Sequence, residues 1–130
     1  MKKKIEITTS AYEAPFVTEC MYEESPAALK IRWKQRHPGD KADSIYEIEM
    51  DKHEGIARIR RKGEIKSVLE FNTAQKSKGV FMTPYGEMTV DIVTNYINMP
   101  SLLVNRFEID YEICQEEGKR EKNIFCIKLI

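Results

Sequence analysis

Apolar and polar residues alternate with a period of two through most of this chain, and the alternation is clearest on either side of Thr83-Pro84-Tyr85-Gly86. Before that turn Gly79, Phe81 and Thr83 share one parity; after it Met88, Val90, Ile92 and Thr94 do. A period of two places successive side chains on opposite faces of a strand, and Pro followed two residues later by Gly is turn chemistry. Gln75 to Thr94 therefore reads as a β-hairpin with one face for a core and one for water.

The same rhythm recurs along the chain. Lys2 to Ser10, Leu29 to Lys34, Ser44 to Met50, Ile56 to Lys62, Lys66 to Phe71, Leu102 to Cys114 and Asn123 to Ile130 all read as strands. Turn residues separate them near positions 39, 55, 63, 73, 86, 99 and 118. Ala11 to Ser25 is ambiguous: Phe16, Thr18, Cys20 and Tyr22 suit a strand, while Glu19 to Glu24 also suits a short helix ended by Pro26; the strand is preferred. No long stretch shows helical period with caps. Consecutive strands joined by short turns are antiparallel neighbours. The expected fold is all-β, an antiparallel up-and-down β-barrel of about eight to ten strands, since closure removes exposed edges. A sandwich needs a long crossover connection, and only Ser10 to Ser25 offers one.

Length and composition narrow the classes. At 130 residues the chain is expected to be one domain over residues 1–130, large enough to bury a core without disulfide or metal. Lysine plus arginine number 21 and aspartate plus glutamate 21, so the net charge is zero; nucleic acid is not an expected partner. No run approaches the ~20 apolar residues of a membrane span. Lys2-Lys3-Lys4 is followed by alternation instead of an apolar signal core. Cys20, Cys114 and Cys126 are odd in number and scattered, which suits reduced thiols in a cytoplasmic protein.

Candidate chemistry is sparse. Arg61 shares parity with Ala57 and Ile59 and so is expected to point into one end of the barrel, meeting Tyr111, Thr94 or Tyr85. An inward guanidinium must be paired; it either anchors structure, the preferred reading, or grips a carboxylate or phosphate at two points. Tyr85, Tyr111, Thr94 and Asn105 lie on or next to inward parities. Convergent polar groups of this kind form either internal hydrogen bonds or a ligand site. Trp33, facing with Leu29 and Ile31, is read as core, with stacking on a ligand as the alternative. His37 and His53 sit in turns without a third metal ligand, so neither a metal nor a cofactor is expected. Arg58, Arg60 and Lys62 make a basic strand face that nearby Glu54, Glu64 and Glu70 balance. No catalytic residue is assigned.

Arg61-Lys62-Gly63-Glu64, Phe71, Gly79-Val80-Phe81-Met82-Thr83-Pro84-Tyr85-Gly86, Thr94 and Tyr111 together resemble the YwiB-like bacterial family. The resemblance covers Ile56 to the C-terminus, and Phe81 stands where that family often has tyrosine. It implies a calycin-type, lipocalin-like barrel able to enclose a small ligand, and it implies no activity. Two function classes follow: a carrier or sensor of a small, perhaps anionic, ligand in or at the mouth of the barrel, and a protein-interaction or structural module whose barrel is filled by its own side chains. Phe71, Phe81, Met88, Phe107, Tyr111 and Phe125 all share inward parities and would occupy much of the interior. An enzyme ranks third, because no acid–base constellation is visible.

Overall fold

The computed structural model describes residues 1–10, 14–100, 104–115 and 118–130. Its strands are β1 (Lys2–Thr9), β2 (Phe16–Glu24), β3 (Ala28–Gln35), β4 (Ser44–Asp51), β5 (Ile56–Lys62), β6 (Lys66–Asn72), β7 (Ser77–Thr83), β8 (Gly86–Asn98), β9 (Arg106–Cys114) and β10 (Arg120–Leu129). Each pairs antiparallel with its neighbours in sequence, and β1 pairs with β10 to close a ten-stranded barrel. The ambiguous N-terminal segment is a strand from Phe16 onward. Leu103, expected inside a strand, lies outside the described residues. No helix among the described residues is long and apolar enough to cross a membrane.

The alternation becomes the inside and outside of the barrel. Ile5, Leu29, Ile31, Ile48, Phe71, Ile92, Phe107, Ile109 and Ile127 are fully buried and fill the interior. At roughly 1.5–3 kcal/mol for each fully buried large apolar side chain, this column is the main source of stability. Met88 departs from the expectation: it is 55% exposed. β9 pairs with β8 only from Asp91 onward, so at Met88 β8 has β7 on one side and no strand on the other.

The outer wall is braced by cross-strand charge. Arg58 pairs with Glu70 at 2.9 Å and Arg60 lies between Glu47 and Glu49 at 3.8 and 3.4 Å, so the basic face is a mixed one. At the end where β5 begins, Tyr22 donates to Glu24 at 2.6 Å, Lys52 meets the same carboxylate at 2.8 Å, and Lys3 lies over the Tyr22 ring. The opposite end, where β3 and β5 finish, holds the aromatic and polar groups considered next.

Candidate functional site

Register sets three side chains in a row at that end. Trp33, Tyr46 and Arg61 face each other across β3, β4 and β5. Their flat groups stack: the Trp33 and Tyr46 rings are 5.2 Å apart and 5° from parallel, and the Arg61 guanidinium lies 5.5 Å from the Tyr46 ring centre. Phe125 stacks on the far side of Trp33 at 6.3 Å. Trp33 is 3% exposed, and its indole N–H donates to Gln35 at 3.2 Å.

The loop after β3 folds over this row. His37 Nε2 and the Tyr46 hydroxyl are 2.5 Å apart, and Asp40 accepts from the His37 backbone N–H at 3.2 Å. Asp40 also meets the Arg61 guanidinium at 3.6 Å, and Arg61 Nε donates to Ser44 Oγ at 3.3 Å. The arginine's charge is thus met within the chain. Burial and the neighbouring Arg61 charge push the His37 pKa down, and Asp40 opposes them.

The expected convergence on Arg61 does not form. Arg61 meets Asp40, Ser44 and Tyr46 in place of Tyr111, Thr94 or Tyr85. Thr94 is buried and accepts the Asn72 backbone N–H at 3.2 Å, a bond that ties β8 to β6. Tyr111 is its cross-strand neighbour, half-buried with its ring edge-on to Phe71 at 4.8 Å. The Tyr111 hydroxyl makes no hydrogen bond among the described residues, and burial, helped by Glu121, pushes its pKa up to about 12. Tyr85 is fully exposed, because it occupies the two-residue turn between β7 and β8, where strand parity no longer applies. Asn105 is exposed just before β9, at the end of the barrel away from Arg61.

A second feature was not legible in the sequence. The β2–β3 ladder runs from Glu24↔Leu29 only as far as Met21↔Arg32. The Ser25 N–H bonds to the Ala28 carbonyl, so hydrogen-bonded pairs fall on odd residues of β2, and Glu19 with Lys34 would be the next. That pair does not form, and the strands part toward the same end as Arg61. A cleft of about 550 Å³ lies over the parting. Its lining takes Thr18, Cys20 and Trp33 from the inward set and Lys2, Arg32 and Lys34 from the outward set, with Glu19 the one carboxylate. Lys2, Arg32 and Lys34 form no ion pair among the described residues. The Cys20 thiol is pushed up by burial, so it is a poor nucleophile there.

No curated protein matches the chain. In fold it is similar to the ywiB protein from Bacillus subtilis, whose crystal structure superimposes with a TM-score of 0.64 at 14% identity, over 99% of this chain and 89% of that one. That likeness concerns the barrel alone. A family model described as a domain of unknown function, DUF1934, matches residues 1–127. With nearly its whole length matched, the chain belongs to the DUF1934 family.

Proposed function

We propose that this barrel is a binding module for a small anionic ligand, taken up where β2 and β3 part. The observation that carries this reading is the cleft itself. Arg32 and Lys34 lie two residues apart on one strand face, about 7 Å along the strand, and face a carboxylate or phosphate together with Lys2. Met21 and Ile45 supply apolar flanks. The backbone groups of Glu19 and Lys34 point into the parting, where a ligand's polar atoms can meet them. Trp33 lies beneath, already stacked and held by Gln35, so little order is lost on binding.

Arg61 fits a supporting role in this reading. Its guanidinium backs the Tyr46 ring, which backs Trp33.

Trp33 is the chain's one tryptophan, so its fluorescence reports on the cleft. Titration with phenyl phosphate, citrate and inorganic phosphate is expected to give a saturable change with at least one of them. Arg32→Glu with Lys34→Glu should abolish it while leaving the melting temperature near that of the parent. A signal that never saturates, or one indifferent to the double charge reversal, overturns the reading. Native mass spectrometry of freshly purified protein gives an independent check, through a co-purifying small molecule that the double variant lacks.

A further inference from the structure

Opposite-sign charges face each other across most of the outer wall, and the outward face of β5, β6 and β7 breaks that rule. Arg60 is followed across the sheet by Val68 and Val80, where the adjacent row has Arg58 opposite Glu70. Val68 is 41% and Met82 53% exposed. With Val80 they floor a groove of about 220 Å³ whose other outward side chains are Arg60, Lys62 and Lys66, three cations with no acid among the lining residues.

Lys62 ends β5 and Lys66 begins β6, one step beyond the Arg61↔Ser67 pair, so the two lysines face each other. Like charges directly opposite are destabilising, and neither lysine has an ion-pair partner among the described residues. Glu64, in the turn between them, is engaged elsewhere: it accepts the Lys41 backbone N–H at 2.9 Å.

We propose that this groove docks an acidic segment of a partner protein, with one large apolar side chain seated against Val68, Val80 and Met82 and flanking carboxylates meeting Lys62 and Lys66. The volume suits a single anchor side chain, and the unopposed lysines supply complementary charge. An anionic bilayer fits less well. The apolar floor is recessed in a groove, which suits one inserted side chain better than a flat bilayer surface.

The test uses the full chain and labelled eleven-residue peptides with a central leucine. In the first the leucine is flanked by glutamates, in the second by lysines, and the third keeps the glutamates with glycine at the centre. Fluorescence polarisation should show saturable binding of the first alone. Lys62→Glu with Lys66→Glu should weaken that binding by about tenfold or more. Val68→Asp should abolish it, and both variants should melt like the parent because these side chains point outward. No preference for the glutamate–leucine peptide, or equal binding by the variants, overturns the proposal. So does binding to phosphatidylglycerol vesicles, with no peptide bound, that the same substitutions remove. The phenyl phosphate response at Trp33 should persist in both variants, which keeps this site distinct from the cleft between β2 and β3.

Discussion

Ser44 occupies the space that a side chain at residue 63 would need. A Cβ built on Gly63 runs into the Ser44 hydroxyl and lies 3.1 Å from its Cβ and 3.2 Å from its Cα. That same hydroxyl accepts from Arg61 Nε. The arginine–glycine spacing at Arg61 and Gly63 therefore has a mechanical reason: the glycine makes room for the serine that holds the arginine. Gly63→Ala should displace Ser44 and lower stability by about 1–3 kcal/mol, an overpacking effect. Chemical denaturation would measure it, and Ser44→Gly should rescue part of the loss.

Removing the arginine probes the same cluster from the other side. Arg61→Met leaves the half-buried Asp40 carboxylate without its guanidinium and Ser44 Oγ without its donor. Stability should fall by about 1–3 kcal/mol. Stabilisation by phenyl phosphate should survive in this variant and vanish in Arg32→Glu with Lys34→Glu. The reverse pattern in a thermal-shift experiment would make Arg61 the anchor and remove the cleft from consideration.

The hydroxyl of Tyr46 and its ring do separable things. Tyr46→Phe keeps the ring against Trp33 and Arg61 but loses the contact with His37, for about 0.5–1.5 kcal/mol. Tyr46→Ala loses the stack as well and should cost about 2–4 kcal/mol. Trp33 emission should shift to the red in the second variant and change little in the first.

His37 makes stability depend on pH. Its folded pKa lies below the ordinary 6.5, so the fold favours the neutral ring. Its contribution is fully present above the unfolded value. It is lost as pH falls from about 6.5 toward the folded value, where the unfolded state binds more protons. The melting temperature should therefore drop between pH 7 and 5 more steeply in the parent than in His37→Gln. Parallel curves would show that the ring titrates alike in both states.

Gly86 holds φ +126°, a region other residues enter with strain, although a Cβ there would meet no neighbouring atom. The Tyr85 N–H donates to Thr83 Oγ1, and Thr83 Oγ1 in turn donates to the Gly86 carbonyl, which fixes the turn. Gly86→Val should cost more than about 1 kcal/mol through backbone strain alone. An unchanged denaturation midpoint would show that the turn relaxes.

The strands were readable because each buries mainly one face, which stamps a period of two on the sequence, although Phe71 with Asn72 and Cys126 with Ile127 are buried side by side. Trp33 and Arg61 could be placed inward by the same rule. The rule fails where regular pairing fails. Tyr85 left its parity at a turn, and Met88 lost its cover where β9 stops short. The loop His37 to Asp40 carries no period, so its fold onto Tyr46 and Arg61 left no trace in the pattern. Thr94 looked like a free hydroxyl because its donor, the Asn72 backbone, lies two strands away. The parting of β2 from β3 depends on ladder length, which alternation does not encode.

A closed ring of strands has no edge to peel from, so where it yields depends on its shortest ladders. The β2–β3 ladder spans Met21↔Arg32 to Glu24↔Leu29, and the β6–β7 ladder spans Lys66↔Met82 to Leu69↔Gly79. The β9–β10 ladder, by contrast, runs from Arg120↔Cys114 to Lys128↔Arg106. The two short ladders stand nearly across the ring from each other, dividing it into a β3–β6 shell and a β7–β10, β1, β2 shell. The barrel is then jointed like a clamshell, and its amides should exchange with solvent first along those two lines. Both proposed binding surfaces straddle them. An occupant on either line stiffens one hinge of the pair, and by linkage the affinity of each surface should respond to occupation of the other.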